Sequence, residues 1–407
     1  MSNQRKRPYN PFYTTIDIPD EYFCDRGKET QTIVDFIKNG TNIVLKSPRR
    51  IGKSSLIMHV FKQDFIKNGY NTLFVDIFGT KNMDDFIQEF QAGFLMAPFA
   101  RTKRGMKQVV DLFQRIYVQV NFTPGGDLQS ARLGLNPSSG YSLTLSEMFD
   151  FLEKTKKPNI VVFDEFQKIK DYPEDAAAII RSYVQKMNNT KFIFSGSSKH
   201  MLHNMFENQD EPFYRSATSM DLDIISLPVY SDFCRKQFSE YNKDITKDAV
   251  SLAYNLFSGN TYDMQEVMKQ AFTMIPEGKT ATSETIVSAV NNILDSREVE
   301  FREKLDLTDS QKARRLLHCI ANEGLATGLT SSSMMKKYGL DNASSVQNAI
   351  AYLTDDQHNL VVRIGKGAYC LQNRFFELWL ARKNQMLGHK LQNASSRFEA
   401  ERKLLSE

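Results

Sequence analysis

The sequence predicts an α/β fold in which a parallel sheet with helices on both faces is followed by an all-α segment and a winged helix-turn-helix. Three observations predict it. Up to Tyr230, short apolar runs rich in β-branched and aromatic residues alternate with stretches whose apolar residues recur every three or four positions. After Tyr230 the strand signal stops and the helical period continues alone. From Leu305 the order becomes helix, short helix, helix and two strands, the order of a winged helix-turn-helix.

The elements are read in order. Residues 1–20 hold three prolines and no periodicity, an extended arm. A helix follows over Lys28–Asn39, then a short buried strand at Asn42–Lys46 and a helix at Lys53–Asn68 with Leu56, Ile57, Val60, Phe61 and Phe65 on one side. Asn71–Phe78 is the next strand and Met83–Phe94 the next helix. Residues 100–145 are less regular and read as an insertion, with a β-hairpin at Ile116–Asn136 around Pro124-Gly125-Gly126. Leu145–Lys154 is helical, Asn159–Phe163 a strand without polar alternation, Asp175–Met187 a helix and Lys191–Ser195 another buried strand. Leu222–Val229 is read as the last strand. The helices Ser231–Tyr241, Thr246–Phe257, Tyr262–Ile275 and Ser283–Lys304 come next. The winged pattern is Asp309–Glu323, Ser331–Tyr338, Asn342–Thr354, Leu360–Ile364 and Ala368–Leu371. The resulting partition is an arm at 1–20, a core at 21–230, helices at 231–304, the winged helix-turn-helix at 305–380 and a basic tail at 381–407.

A chain of 407 residues with 41% apolar and 25% charged residues can bury sizeable cores, which excludes disordered, collagen-like and disulfide-scaffold classes. The four cysteines lie far apart and no two histidines have ligand spacing, so neither structural zinc nor histidine-bound catalytic metal is expected. The basic N-terminus is followed by no apolar stretch, and no run approaches the ~20 apolar residues of a membrane span, so a cytoplasmic protein without membrane contact is expected. The net charge of +4 implies no nucleic acid by itself, but from Arg363 onward nine basic residues face four acidic ones.

The sharpest local signal is Ser47-Pro48-Arg49-Arg50-Ile51-Gly52-Lys53-Ser54, set between a buried strand and an amphipathic helix. This is the spacing of a phosphate-binding P-loop, with Ser47 at the position of the first glycine. Backbone N–H groups at a helix start, with its dipole, attract phosphate oxygens. Gly52 lets the backbone approach closely, Lys53 brings a cation to the β- and γ-phosphates, and the Ser54 hydroxyl can ligate Mg²⁺. Ser47 raises the expectation of a strained turn.

Ile160-Val-Val-Phe163-Asp164-Glu165 ends a buried strand in two carboxylates at the strand edge where α/β sheets bind ligands. Asp164 suits the shell of Mg²⁺, and Glu165 suits deprotonation of an attacking water. Asp164 as a simple cap of the next turn is the bland alternative. With a P-loop upstream the pair points to ATP. The third strand ends Phe194-Ser195-Gly196-Ser197-Ser198, whose hydroxyls either sense the γ-phosphate or make an ordinary turn. Arg215, in Phe213-Tyr214-Arg215, is either a solvated surface residue or a cation for the transferring phosphoryl group, in its own site or a neighbour's.

Taken together, Phe23-x-x-Arg26-x-x-Glu29, SPRRIGKSSL, VVFDEFQ, FSGSS, FYR and Ser258-Gly259-Asn260 resemble the prokaryotic "archaeal-type" ATPases of the STAND branch, within the P-loop AAA+/ASCE group. The resemblance spans roughly residues 20–380. It implies an ATPase core with an added strand beside the P-loop strand, a helical lid and a winged helix. It implies that Arg26 and Glu29 lie near the adenine end, and that Pro48, Arg49, Arg50, Ile51, Gly52, Lys53, Ser54 and Ser55 cradle the phosphates. It also implies that Asp164 and Glu165 are the Walker B pair, Ser195 the sensor and Arg215 the catalytic arginine. Ser47, Gly27 and Asn260-Thr261 depart from the family pattern. Some relatives carry a C-terminal nuclease, for which the residues after the winged helix leave no room.

The candidate recognition helix Asn342–Thr354 contains no Lys or Arg, so DNA contact would rest on Ser344, Ser345, Gln347 and Asn348, on Lys336 and Lys337 before it, on Arg363 and Lys366 at the wing, and on the basic tail. A protein-packing winged helix is the alternative. Trp379 reads as core and His59 as packing. The expected function is an ATP- and Mg²⁺-dependent switch with slow hydrolysis, its partners being a protein client, a second copy or DNA. The alternative is a nucleotide-loaded DNA-binding regulator or adaptor without turnover, and a small-molecule kinase is a weaker third.

Overall fold

The computed structural model describes residues 7–116, 118–122, 128–133, 140–173, 175–308, 310–355, 358–365 and 367–406. The expected Pro124-Gly125-Gly126 turn and Lys366 lie outside them. The chain forms two compact units. One comprises Thr15–Asp20 and Arg26–Asp223, and the other residues 7–14, Glu21–Asp25 and 224–406.

The first unit is built on β1 (Ile43–Lys46), β2 (Asn71–Asp76), β5 (Asn159–Asp164), β6 (Thr190–Gly196) and β7 (Thr218–Asp221). They form one sheet in the order β2-β5-β6-β1-β7, every pair parallel. Strand β6 lies beside β1 and separates it from β5, the added strand that the motif pattern implied. Helices α1 (Gly27–Lys38), α2 (Lys53–Lys62), α3 (Asp64–Gly69), α4 (Met83–Met96), α5 (Lys103–Ile116), α6 (Gly140–Lys154), α7 (Ala176–Val184) and α8 (Lys199–Glu207) complete the unit. The expected hairpin is present as β3 (Val118–Phe122) and β4 (Leu128–Leu133), antiparallel with Val118 opposite Leu133.

Strand β5 is buried along its whole length, as a central parallel strand must be. Around it Phe86, Phe90, Phe163, Phe166, Phe192, Phe194, Phe206 and Phe213 form a dense aromatic cluster, with Phe166 and Phe213 meeting edge to face at 5.1 Å. Each buried ring contributes about 1.5–3 kcal/mol. Phe163 and Phe166 bracket Asp164 and Glu165, so the two acids stand on an unyielding base.

Four readings of elements are corrected, the first being the single helix Ser283–Lys304, which breaks at Arg297 into Ser283–Ser296 and Glu298–Asp306. Leu222–Val229 is not a strand. The edge strand is Thr218–Asp221, and after the Leu222 N–H reaches the Lys46 carbonyl (2.8 Å) the chain leaves the sheet. Helix α9 (Leu227–Ser239) then starts with Pro228 in its first turn, where a missing N–H costs nothing. The helix read over Lys53–Asn68 breaks at Gln63, which has extended ψ, and the break buries Ile66 in place of Phe65. Helix α5 was hidden in a segment that read as irregular.

The second unit packs α9, α10 (Lys247–Leu256), α11 (Thr261–Met274), α12 (Ser283–Ser296) and α13 (Glu298–Asp306), with a small parallel bridge between β8 (Asp244–Ile245) and β9 (Thr280–Ala281). The winged part is α14 (Gln311–Glu323), β10 (Ala326–Thr327), α15 (Ser332–Tyr338), α16 (Ala343–Thr354), β11 (Val361–Ile364) and β12 (Ala368–Leu371), its sheet ordered β10-β12-β11. Ser331, Asn342 and Asn373 cap helix starts by accepting N–H bonds, so these boundaries were legible. Trp379, on α17 (Arg374–Lys383), is core, and its Nε1 donates to Glu298 at 2.5 Å.

The C-terminal residues are not a free basic arm. They form α18 (Leu387–Gln392) and α19 (Ala394–Ser406), whose Lys390 and Arg397 turn inward while Arg402 and Lys403 are exposed. Arg374 donates to Glu377 (2.9 Å), Glu401 (3.0 Å) and Ser258 (2.7 Å). Arg397 bonds Glu377, Glu401 and the Gly324 carbonyl, and Lys390 pairs with Glu377 at 3.5 Å. Arg382 and Lys383 pair with Asp295 and Glu298. Five of the nine cations counted for phosphate contact, Arg374, Arg382, Lys383, Lys390 and Arg397, are therefore held in ion pairs inside this unit, and for the buried ones a missing partner would cost several kcal/mol per charge. Among the described residues, no helix is long and apolar enough to cross a membrane.

Candidate functional site

Parallel strands bring residues at matching register to one sheet edge. Lys46 ends β1, Asp76 ends β2, Asp164 ends β5 and Gly196 ends β6, so the loops after all four meet at the C-terminal edge. The loop Ser47–Gly52 leaves β1 there and turns into α2. The left-handed positions are Arg50 (φ 64°) and Gly52 (φ 88°). Ser47 is not one of them. It is buried, its N–H donates to the Gly196 carbonyl at 3.3 Å, and a serine fits there without backbone strain.

Helix α2 opens with Lys53 and Ser54 directed at the acids. Lys53 Nζ lies 2.6 Å from Asp164 Oδ1 and 3.0 Å from Glu165 Oε1. The Ser54 hydroxyl donates to Asp164 Oδ2 at 2.6 Å, and the Ser195 hydroxyl to Asp164 Oδ1 at 2.7 Å. Burial alone would raise the pKa of Asp164, but the Lys53 charge and hydrogen bonds from Lys53, Ser54 and Ser195 outweigh it and hold the carboxyl below its ordinary range. Glu165 behaves alike: burial pushes it up, and the Lys53 charge with bonds from Ser197, Gln167 and Lys53 brings it down. Both acids are ionised in this arrangement. Ser54 Oγ and Asp164 Oδ2 are hard oxygen donors side by side, a set suited to Mg²⁺.

Arg26 is buried and braces the loop from behind. Its guanidinium reaches Glu29 (2.7 Å), the Ile51 carbonyl (3.4 Å) and the Asp223 carbonyl (2.6 Å). Arg49 donates to Ser197 Oγ at 3.2 Å and lies over the exposed Phe78 ring. Pro48, Arg50 and Ser55 lie on the same loop and first turn, Ser55 half-buried and the other two exposed.

Two placements differ from expectation. Ser195 is wholly buried beneath Asp164, and the hydroxyl that reaches Glu165 is that of Ser197. Arg215 is not brought to the acids. It precedes β7, and its neighbour Ser216 accepts from Asn42 Nδ2 at 3.3 Å, at the opposite end of β1 from the P-loop. Its guanidinium lies 5.0 Å over the Tyr214 ring. A role in its own site would require it to cross the sheet, whereas a role in a second copy's site is unaffected. His59 is also not simple packing: Nδ1 lies 3.0 Å from Asp20 Oδ1.

Sequence reasoning missed Asp76 and Gln167, and offered Ser197 only as one of several hydroxyls after the third strand. Asp76 is the register partner of Asp164, and its Oδ1 accepts the Phe78 N–H at 2.9 Å. Burial and the charges of Asp164 and Glu165 raise its pKa. The signal was present, since NTLFVD and NIVVFD are two strands that start with Asn and end with Asp. Gln167 donates to Glu165 Oε2 at 2.6 Å.

With this geometry in hand, comparisons with known proteins are informative. The model of a family described as an ATPase domain predominantly from Archaea matches residues 23–267, and that of a probable winged helix domain matches residues 301–382. No curated protein matches the sequence. Among solved structures, the chain is similar to the Walker-type ATPase PABY2304 of Pyrococcus abyssi, at a TM-score of 0.60 and 17% identity over 91% of this chain and 99% of that one. It is similar to the Aeropyrum pernix ORC2 protein in ADPNP–ADP complexes, at a TM-score of 0.53 and 12% identity over 91% and 95%. It is also similar to the Aeropyrum pernix ORC1 protein in complex with DNA, at a TM-score of 0.50 and 16% identity over 92% and 97%. At these identities the likeness establishes the fold.

Proposed function

The chain belongs to the family of ATPase domains found predominantly in Archaea, and on that premise we propose that it binds ATP with Mg²⁺ at Ser47–Ser55 and hydrolyses it slowly to ADP and phosphate, as a conformational switch of the AAA+/STAND kind. One observation carries the reading: Lys53 spans Asp164 and Glu165 at 2.6 and 3.0 Å, with Ser54 on Asp164. Phosphate-binding and water-activating groups thus share one sheet edge.

The mechanism follows from what these groups hold. The N–H groups of the loop and of the start of α2 would receive the phosphate oxygens. Lys53 would exchange its two carboxylates for the β- and γ-phosphates, which frees Glu165 Oε1. Mg²⁺, held through Ser54 and Asp164, would supply positive charge to the phosphate oxygens. Glu165 would take a proton from water as the water oxygen bonds the γ-phosphorus, and the bond to the bridging oxygen breaks with its electron pair leaving on ADP. The need to break buried ion pairs before chemistry favours slow turnover. Lys53→Ala is expected to lose nucleotide affinity, and Glu165→Gln to keep binding while hydrolysis falls by orders of magnitude. A folded chain with no measurable affinity for ATP and Mg²⁺ would overturn the reading.

The position of Arg215 favours self-association as part of the switch, the arginine entering a second copy's site. Mixing Arg215→Ala with Lys53→Ala protein should then restore part of the lost activity, because one mutant supplies the arginine and the other the intact loop. DNA contact is the other reading, supported by the winged helix and by the fold likeness to ORC1 described in complex with DNA. With Arg382, Lys383, Lys390 and Arg397 paired internally, it would rest on α16, the wing at Arg363 and the exposed Arg402 and Lys403. ATPase rates with and without duplex DNA across a salt series test it.

A further inference from the structure

The two oxygens of Glu165 are engaged unequally. Oε1 accepts one bond, from Lys53 Nζ at 3.0 Å. Oε2 accepts three, from Gln167 Nε2 at 2.6 Å, Ser197 Oγ at 2.7 Å and the Ser197 N–H at 3.3 Å. A carboxylate oxygen offers about two acceptor sites, so Oε2 is fully engaged while Oε1 keeps room for another donor. The Lys53 bond is the one that phosphate would draw away. The other three come from residues that do not belong to the phosphate loop and have no reason to move.

Gln167 is specially placed for this task. It is 5% exposed, and it lies in the 3₁₀ turn Phe166–Asp171, which Phe166 and Ile169 anchor in the core. Its Oε1 is buried and has no hydrogen-bond partner among the described residues. Turning the amide over would set that oxygen against the Glu165 carboxylate and strand the donor, so the orientation is determined. A buried, unpaired carbonyl costs about 1–3 kcal/mol. The fold also makes room for it, because a Cβ at Gly196 would lie 1.9 Å from Gln167 Oε1. Glu165 itself has φ 56°, a left-handed conformation uncommon for a side-chain-bearing residue. Two unfavourable local features, and a glycine that makes room for one of them, thus converge on the direction of one carboxylate.

We propose that Gln167 and Ser197 are positioning residues for Glu165, holding Oε2 so that Oε1 is presented to the attacking water once Lys53 moves onto the nucleotide phosphates. This rests on the ATPase reading above. The chemistry is the step already written, now assigned to one oxygen: Oε1 receives the water proton and Oε2 stays bonded to its three donors. Misplacing a base by about 1 Å can cost about a hundredfold.

The test uses the full chain with Gln167→Met, which keeps length and removes the donor, Ser197→Ala, and Ser197→Thr as the conservative control. Steady-state kcat should fall about ten- to hundredfold in the first two. KM, and Kd for a non-hydrolysable ATP analogue, should stay within about twofold, which also certifies folding. Ser197→Thr should recover most of kcat. In a Glu165→Gln background neither change should lower the residual rate further. The proposal is overturned if both variants keep the parental kcat while Glu165→Gln is inactive, if the loss appears in affinity, or if the losses add to that of Glu165→Gln. Parental hydrolysis by Glu165→Gln would instead overturn the assigned base, a separate failure.

Discussion

Lys53 and Glu165 are partners in this structure, Nζ 3.0 Å from Oε1, although their expected roles lie on a substrate rather than on each other. The ion pair competes with phosphate for the same ammonium. Glu165→Gln should therefore bind ATP more tightly than the parent, by about fivefold, the equivalent of about 1 kcal/mol of lost competition. Equilibrium titration with a fluorescent ATP analogue measures it. Equal or weaker affinity would mean that the pair does not hold Lys53 back.

Gly196 should resist substitution although its backbone is not left-handed. In Gly196→Ala the new methyl would fall on Gln167 Oε1 and 3.1 Å from Leu202 Cδ1. Gln167 must swing off Glu165 to relieve the clash. Hydrolysis should fall about tenfold with nucleotide affinity retained, and the melting temperature should drop modestly. A parental kcat would show that the amide is dispensable.

The C-terminal helices should behave as structure. Arg397→Ala leaves Glu377, which has no solvent exposure, with fewer charge partners, and should destabilise the second unit by about 3 kcal/mol. Chemical denaturation followed at Trp379, the only tryptophan, reports on this unit directly. Deleting residues 393–407 should do at least as much. A tail used only as a phosphate-binding arm would come off with the denaturation midpoint unchanged.

Acid should weaken the contact between α13 and α17. Bonds from Lys383, Trp379 and Arg302 hold Glu298 down to about 2, against an ordinary 4.5. A depressed carboxylate stabilises the folded state fully above its ordinary pKa, and that contribution is lost as pH falls from about 4.5 through about 2. Glu298→Gln should remove this part of the acid dependence of unfolding and shift Trp379 emission. An identical acid profile in the variant would assign the dependence to other carboxylates.

Local chemistry was legible in the sequence wherever one short stretch carries it. A phosphate loop must be contiguous because successive N–H groups and the next two side chains act on one phosphate, so Ser47–Ser54 announced itself. Asp164 and Glu165 were legible because a buried strand that ends in acids has only one edge at which to place them. The helix caps and the hairpin were legible for the same reason, each being a matter of a few adjacent residues.

Relations across long separations came from the folded chain alone. The register of β2 against β5 sets Asp76 beside Asp164, and β6 beside β5 lets Ser197 reach Glu165 from the next strand. The absence of a side chain at Gly196 admits the Gln167 amide. Likewise, nothing in the composition of the last residues distinguishes a free basic arm from helices whose cations answer Glu377 and Glu401. Charge along a chain is additive and can be counted, but whether it faces water or a buried partner depends on which distant segment packs against it. The position of Arg215 is the sharpest case: a few residues before the edge strand β7 in sequence, it lies at the end of the sheet away from the acids, because a parallel strand must be entered from the edge opposite the site.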